Sequence, residues 1–345
     1  MTNAPRRHFN MPAAARPHRN LFPLLWPAFF LPLFLAAAVP LPLPGQAQQP
    51  TAEGEWVANL AAGRLLIAVV KGGMVIASVE NPVEPGTRPP QIIPLAGNRV
   101  GVLLGAVDWS YLSPKTQIAR LGTELPRLRM RRSGGEGRPR LQPGGPVVGS
   151  EAEQVGLGLL ERLRDVATHI HGQLDLGPDD PIVELVLAGY DEENGGEVWL
   201  LKYTVTQEQE RGDYWETRVM RPSYHCLWPP EKGQPHNLVE VRYPAADSDP
   251  SLADLLHQGD SRLVRIRESD RALAKVADQL VGGESQKANF TDTEQFLRAT
   301  LGAIAPENAK QAIATISGKE GFAWVLEPPS EKPPRPPGAP SLQKP

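Results

Sequence analysis

GRLLIAVVKGGMVIAS, residues 63–78, is a pair of apolar, β-branched runs broken by Lys71, Gly72 and Gly73. Two such runs about a short glycine turn predict a β-hairpin, with strands over 64–70 and 74–79. Residues 91–95 and 99–106 repeat the pattern around Ala96, Gly97 and Asn98, and the four runs together are expected to form one antiparallel sheet. A second hairpin is expected from residues 181–189 and 197–206, joined by the acidic, glycine-containing turn 190–196. Between 208 and 243, aromatic and β-branched residues suggest irregular strands, interrupted by Pro222, Pro229, Pro230 and Pro235.

Helices are read from the 3.6-residue period. Residues 151–171 place Val155, Leu159, Leu160, Leu163, Val166 and Ile170 on one face. A shorter helix is expected over 114–125, ending at Pro126. Others are expected over 251–257, 270–281 and 293–304, the last opened by Thr291 and Glu294 as a capping box. Pro306 is expected to start one more, running to Ile316, before a closing strand at 322–326. Two hairpin-bearing sheets with helices between and after them imply an α+β fold: a four-layer αββα sandwich, two mainly antiparallel sheets flanked by helices.

The ends differ in character from this domain, which is assigned to residues 59–327. Arg6, Arg7, Arg16 and Arg19 precede an apolar run over 21–44, and Gly45-Gln46-Ala47 supplies the small residues a signal peptidase requires. Residues 1–47 are therefore read as a signal peptide and 48–58 as a polar linker. Export to a periplasmic or extracellular space is expected, by the ordinary secretory route or, given Arg6 and Arg7, the twin-arginine one. If the segment stays attached, about 20 apolar residues suffice to anchor the chain in a membrane. Residues 328–345 form a proline-rich tail. Cys226 is the only cysteine, which excludes an intramolecular disulfide and a cysteine-based zinc cluster. With a formal net charge of −3, no general affinity for nucleic acid is expected.

The order of these pieces resembles a known family. Residues 63–78 look like the opening hairpin of proteasome subunits; 91–95 and 99–106 are similar to the next strand pair; the helix 151–171 precedes residues 181–195, which match the central strand and its acidic turn. The resemblance implies the fold of N-terminal nucleophile hydrolases, in which the first residue of the mature chain attacks and its own amine serves as base. Aligned on the Lys71-Gly72-Gly73 turn, that position is Gly63, with Val79 and Gln91 where an acid and a lysine belong. Residues 52–77 contain no Ser, Thr or Cys. Ser78 lies at the end of the second strand, and Thr51 would stand about a dozen residues from the strand that should orient it. The resemblance also implies self-association, since members of the family assemble in rings.

Other chemistry is sparse. His169 with His171, and His225 with Cys226, lack a metal-ligand spacing. Asp108 with Glu124 and the turn Asp191-Glu192-Glu193 are formal acid/base or calcium candidates, with solvated turn acids as the default reading. Gly156-Leu157-Gly158 is too short for a dinucleotide fingerprint. Arg127, Arg129, Arg131, Arg132, Arg138 and Arg140 form a glycine-rich basic loop with Glu136 as its one acid, read by default as an exposed loop kept soluble by its charge and alternatively as a surface for an anionic or protein partner. No catalytic, cofactor-binding or metal residue is assigned. The expectation is an exported non-catalytic protein that binds or assembles; the alternatives are an atypical N-terminal nucleophile hydrolase and a membrane-tethered scaffold.

Overall fold

The computed structural model describes residues 56–81, 87–111, 118–128, 149–171, 180–211, 214–244 and 250–328. The chain first enters β1 (Trp56–Ala61), which takes up the last residues of the expected linker. The hairpin follows as β2 (Gly63–Val70) and β3 (Gly73–Glu80), paired from Gly63–Glu80 to Val70–Gly73. Then come β4 (Gln91–Leu95) and β5 (Arg99–Tyr111), turned at Gly97 and Asn98, both with positive φ. After β6 (Ile118–Arg120) lie a single turn of helix, α1 (Leu121–Glu124), and the long α2 (Gly149–His171). β7 (Val183–Asp191) and β8 (Gly195–Tyr203) form the second expected hairpin, and β9 (Val205–Arg211) with β10 (Tyr214–Val219) make a separate two-stranded ribbon. β11 (Ser223–Trp228) and β12 (Val239–Tyr243) come next. Helices α3 (Leu252–Gln258), α4 (Ser261–Ser269), α5 (Arg271–Val281) and α6 (Phe290–Ile304) then lead to β13 (Gln311–Ser317) and β14 (Gly321–Leu326).

The strands sort into two antiparallel sheets flanked by the helices, a mixed α+β fold. One sheet runs β1-β5-β7-β8-β11, with β4 and β6 also paired to β5; the other runs β12-β2-β3-β13-β14. The two expected hairpins 64–79 and 91–106 therefore do not share a sheet. β3 takes β13 as its outer neighbour and β5 takes β7, because runs apolar on both faces can be stacked as well as laid side by side, and local pattern does not distinguish the two.

Alternation along the strands explains the packing. In β7, Leu185 and Leu187 meet α2 residues Val155, Leu159 and Leu163, while Val186 and Ala188 face the other sheet's Leu65, Ile67 and Ile76. In β2 and β3, Leu66, Ala68, Val75 and Ala77 turn outward onto Val276, Leu280, Phe296 and Leu297 of α5 and α6. Each fully buried Leu, Ile or Phe contributes about 1.5–3 kcal/mol, so three such cores stabilise the domain without a disulfide. Among the polar groups inside, the Tyr203 hydroxyl donates to the Gly156 carbonyl at 3.1 Å, and burial pushes that phenol well above its usual range. Gly156 and Gly158 thus serve packing, since a Cβ at Gly156 would stand 2.8 Å from Leu201 and one at Gly158 would stand 3.0 Å from Leu128.

Three other expectations are corrected. Within the expected helix 114–125, residues 118–120 are strand and the helix begins only at Leu121; Asp108 and Ser110 of β5 draw them into the ladder. Residues 114–117 lie outside the described set. The expected helix from Pro306 is instead a turn, with Asn308 at φ 70°, followed by β13; Ala312, Ile313, Ala314 and Ile316 are all buried, so both faces are apolar and no helical stripe exists. The cap of α6 is Asn289, whose side chain accepts from the Asp292 N–H at 3.1 Å, so Thr291 and Glu294 lie inside the helix.

Candidate functional site

Gly63 opens β2, as aligned, but it is an interior residue of a hydrogen-bonded run. Upstream, β1 is paired with β5 from Trp56–Tyr111 to Ala61–Gly105. The junction itself is tied down: Ala62 N–H donates to Arg88 O at 2.8 Å, Asn81 N–H to Ala62 O at 2.9 Å, and Arg88 N–H to Leu60 O at 3.0 Å. Gly63 has φ +142°, and a Cβ there would stand 2.0 Å from Val79 O. Val79 itself packs with the helices on the far face of the sheet, and Gln91 sits on β4 in the other sheet, opposite Leu103. Ser78 is fully buried, its hydroxyl without a hydrogen-bond partner. The structure does not gather the aligned positions into a reactive group.

What lies beside them is a cavity of about 300 Å³, lined by Arg88, Gln91, Ile93, Asp108, Arg120 and Lys310 among others. Four segments supply its charges. Arg88 is placed by a short parallel bridge to Ala61. Asp108 and Arg120 are register partners on β5 and β6. Lys310 is held through its backbone, donating to Glu80 Oε2 at 3.2 Å and accepting from Glu80 N–H at 3.0 Å. Asp108 Oδ2 stands 2.9 Å from Arg88 Nη1 and 4.0 Å from Arg120 Nε, with the Asp108 side chain only 5% exposed. One carboxylate oxygen thus faces two guanidinium groups, which compensate the burial of its charge. Sequence reasoning missed this group. Its signal was Asp108, the one acid in the 13-residue strand β5.

A larger concavity of about 740 Å³ lies at the turns of the hairpins, with Lys71, Arg99, Tyr190, Glu197, Trp199 and Cys226 among its lining. Several of its polar groups are engaged within the protein. Gly72 N–H donates to the Tyr190 hydroxyl at 3.1 Å, Trp199 Nε1 donates to Glu197 Oε1 at 2.7 Å, and Arg99 pairs with Glu151 at 2.8 Å. Burial holds the Glu151 carboxyl above its ordinary value against the pull of Arg99. Burial and then the Glu197 charge push the Cys226 thiol up, so it stays protonated and weakly nucleophilic.

The remaining sequence candidates do not converge. Glu124 faces Arg127 at 3.4 Å and Arg162 at 3.7 Å, apart from the arginines that face Asp108. Asp191 caps its own turn, accepting from the Glu193 and Asn194 N–H groups at 2.8 and 3.1 Å. His225 Nε2 lies 3.0 Å from Ser223 Oγ. Among the described residues no group of three or more His, Cys, Asp and Glu is placed to hold a metal ion. The side chains of His169 and His171, and Arg129, Arg131, Arg132, Arg138 and Arg140 of the basic loop, lie outside the described residues. No helix among the described residues is long and apolar enough to cross a membrane. No protein-family model matches the chain, and no curated protein sequence does.

Proposed function

We propose that this chain is an exported, non-catalytic protein with a proteasome-like, four-layer αββα sandwich, acting by binding or assembly. The layer order is supported by the three cores, one between α2 and a sheet, one between the sheets and one beneath α3–α6. The likeness to proteasome subunits rests on β2–β3, β4–β5, α2 and β7–β8 following one another in that family's sequence. The observation that carries the non-catalytic reading is the junction at Gly63. An N-terminal nucleophile needs a chain end at the start of that strand, and here β1 runs into it with its backbone bonded on both sides. Export rests on the charged, apolar and small-residue parts of residues 1–47 in order. The basic loop from Arg127 to Arg140 is a surface for an anionic or protein partner, and self-association follows from the family likeness.

The test combines N-terminal sequencing of the mature chain with an electrophilic probe that acylates N-terminal threonine. No stoichiometric labelling is expected. A chain that begins at Thr51 and is labelled there, with labelling lost in Thr51→Ala, would replace this reading with an atypical hydrolase.

A further inference from the structure

We infer that the concavity at the hairpin turns binds a short neutral oligosaccharide. It lies at the far end of β2 from Gly63, against the Lys71–Gly72 turn, and bends around the end of the β7–β8 hairpin. Strand alternation sets its two sides. Trp199 packs with the core beneath α2 and Tyr190 with the core between the sheets, yet both line this one concavity. Between them Gly195, with nothing within 4 Å of a Cβ position, and Gly196 leave the ridge low. Charge selects against ions. Lys71 and Arg99 line the walls together with Asp191, Glu193 and Glu197, so an incoming charge of either sign meets its like. Several of these groups are already paired: Arg99 with Glu151 at 2.8 Å, Glu197 Oε1 with Trp199 Nε1 at 2.7 Å, and Asp191 Oδ1 with the N–H groups of its own turn. An ion that broke such a pair would leave a charge uncompensated, and an apolar ligand would desolvate them without return. A hydroxyl adds to them instead, because a carboxylate has about four acceptor sites and a guanidinium five donors. Such binding requires no charged group to lack a partner.

The aromatic side chains set the length of the ligand. A sugar ring presents C–H groups on its faces and hydroxyls at its rim, which matches the electron-rich face of an indole with a carboxylate at its edge. Trp199 and Glu197 are that pair, and their hydrogen bond holds the indole in place. Tyr190 stands on the other face of the same sheet, so no single ring meets both aromatics, whereas a chain of two or three rings crossing the low ridge does. The volume of about 740 Å³ lies within the range of small-molecule sites and admits more than one ring. This binding deepens the binding half of the proposed function and uses neither an N-terminal nucleophile nor export, so its failure leaves the N-terminal labelling test and self-association as they stand.

Titration calorimetry on the full chain tests the inference, with maltotriose, cellotriose and chitotriose as neutral trimers, glucose and N-acetylglucosamine as their monomers, and the chitosan trimer and trigalacturonate as cationic and anionic trimers. At least one neutral trimer is expected to bind saturably, about tenfold or more tighter than its monomer and than either charged trimer. Its affinity should fall about tenfold in Trp199→Ala and in Tyr190→Ala, with thermal melts establishing that each variant is folded. Hydrogen exchange of the unaltered protein should slow on binding at residues 189–199, which keeps the test decisive if a variant unfolds. No saturable binding of any neutral trimer at millimolar concentration, a charged trimer that binds as tightly as the best neutral one, a monomer that binds as tightly as its trimer, unchanged affinity in a folded variant, or slowed exchange only outside 189–199 overturns the proposal.

Discussion

Gly63 shows how one residue fixes a strand junction. Its positive φ and the 2.0 Å approach of a Cβ to Val79 O mean that no side chain fits without moving β3. Gly63→Ala is expected to cost about 2–3 kcal/mol from backbone strain and the forced shift, lowering the melting temperature by roughly 5–10 °C for a domain of this size. Gly72→Ala is the matched control, since Gly72 also has positive φ, at +92°, but nothing stands within 4 Å of its Cβ. Equal losses in the two variants, read by circular dichroism melts, would show that the close approach at Gly63 carries no weight. The sequence signals at this scale were mixed. The reason for a glycine at 63, a strand junction pressed against its neighbour, depends on β1, a run whose first residues read as linker.

At the scale of elements, β7 and β8 carry a buried charge between the two sheets' cores. Glu184 is 3% exposed and faces Lys202 across the pair, Nζ to Oε1 at 3.3 Å, with Oε2 lacking a hydrogen bond. Burial raises its carboxyl above the ordinary 4.5, and Lys202 offsets only part of this. A carboxyl whose folded value is raised stabilises the fold fully below its unfolded value, and that contribution is lost as pH rises through the folded value. Glu184→Gln has no such titration. Between pH 4.5 and 7.5 the melting temperature of the wild type should therefore fall relative to the variant; a constant difference, or one moving the other way, would contradict this. Elements with a strong local signal were legible: both hairpins, α2, α5 and the closing strand. Those whose signal is non-local were not. Residues 311–317 are apolar on both faces and become strand only because β3 offers an edge, and α4 escaped notice because Leu263 is its only buried residue.

For the whole molecule, the three cores bring together side chains that no local pattern connects, which is why the Arg88, Asp108 and Arg120 group was not legible while the mixed α+β class with its antiparallel sheets was. Those residues arrive from three segments through the registers of β1, β5 and β6. Among the described residues the exposed large hydrophobic side chains are Leu157 and Met220 alone. Removing residues 1–47 takes away four arginines and no acid, moving the formal net charge from −3 to −7, which favours solubility. Two outcomes follow. Intact-mass analysis of protein from its native host should find a chain beginning at Gln48. A recombinant chain beginning there should melt within about 1–2 °C of the full-length protein in matched detergent, since substitutions and losses away from buried features change stability by little. Full-length chain recovered only from membranes, or a shortened chain that fails to melt cooperatively, would mean that the first 47 residues are part of the working protein and that the tethered scaffold is the better description.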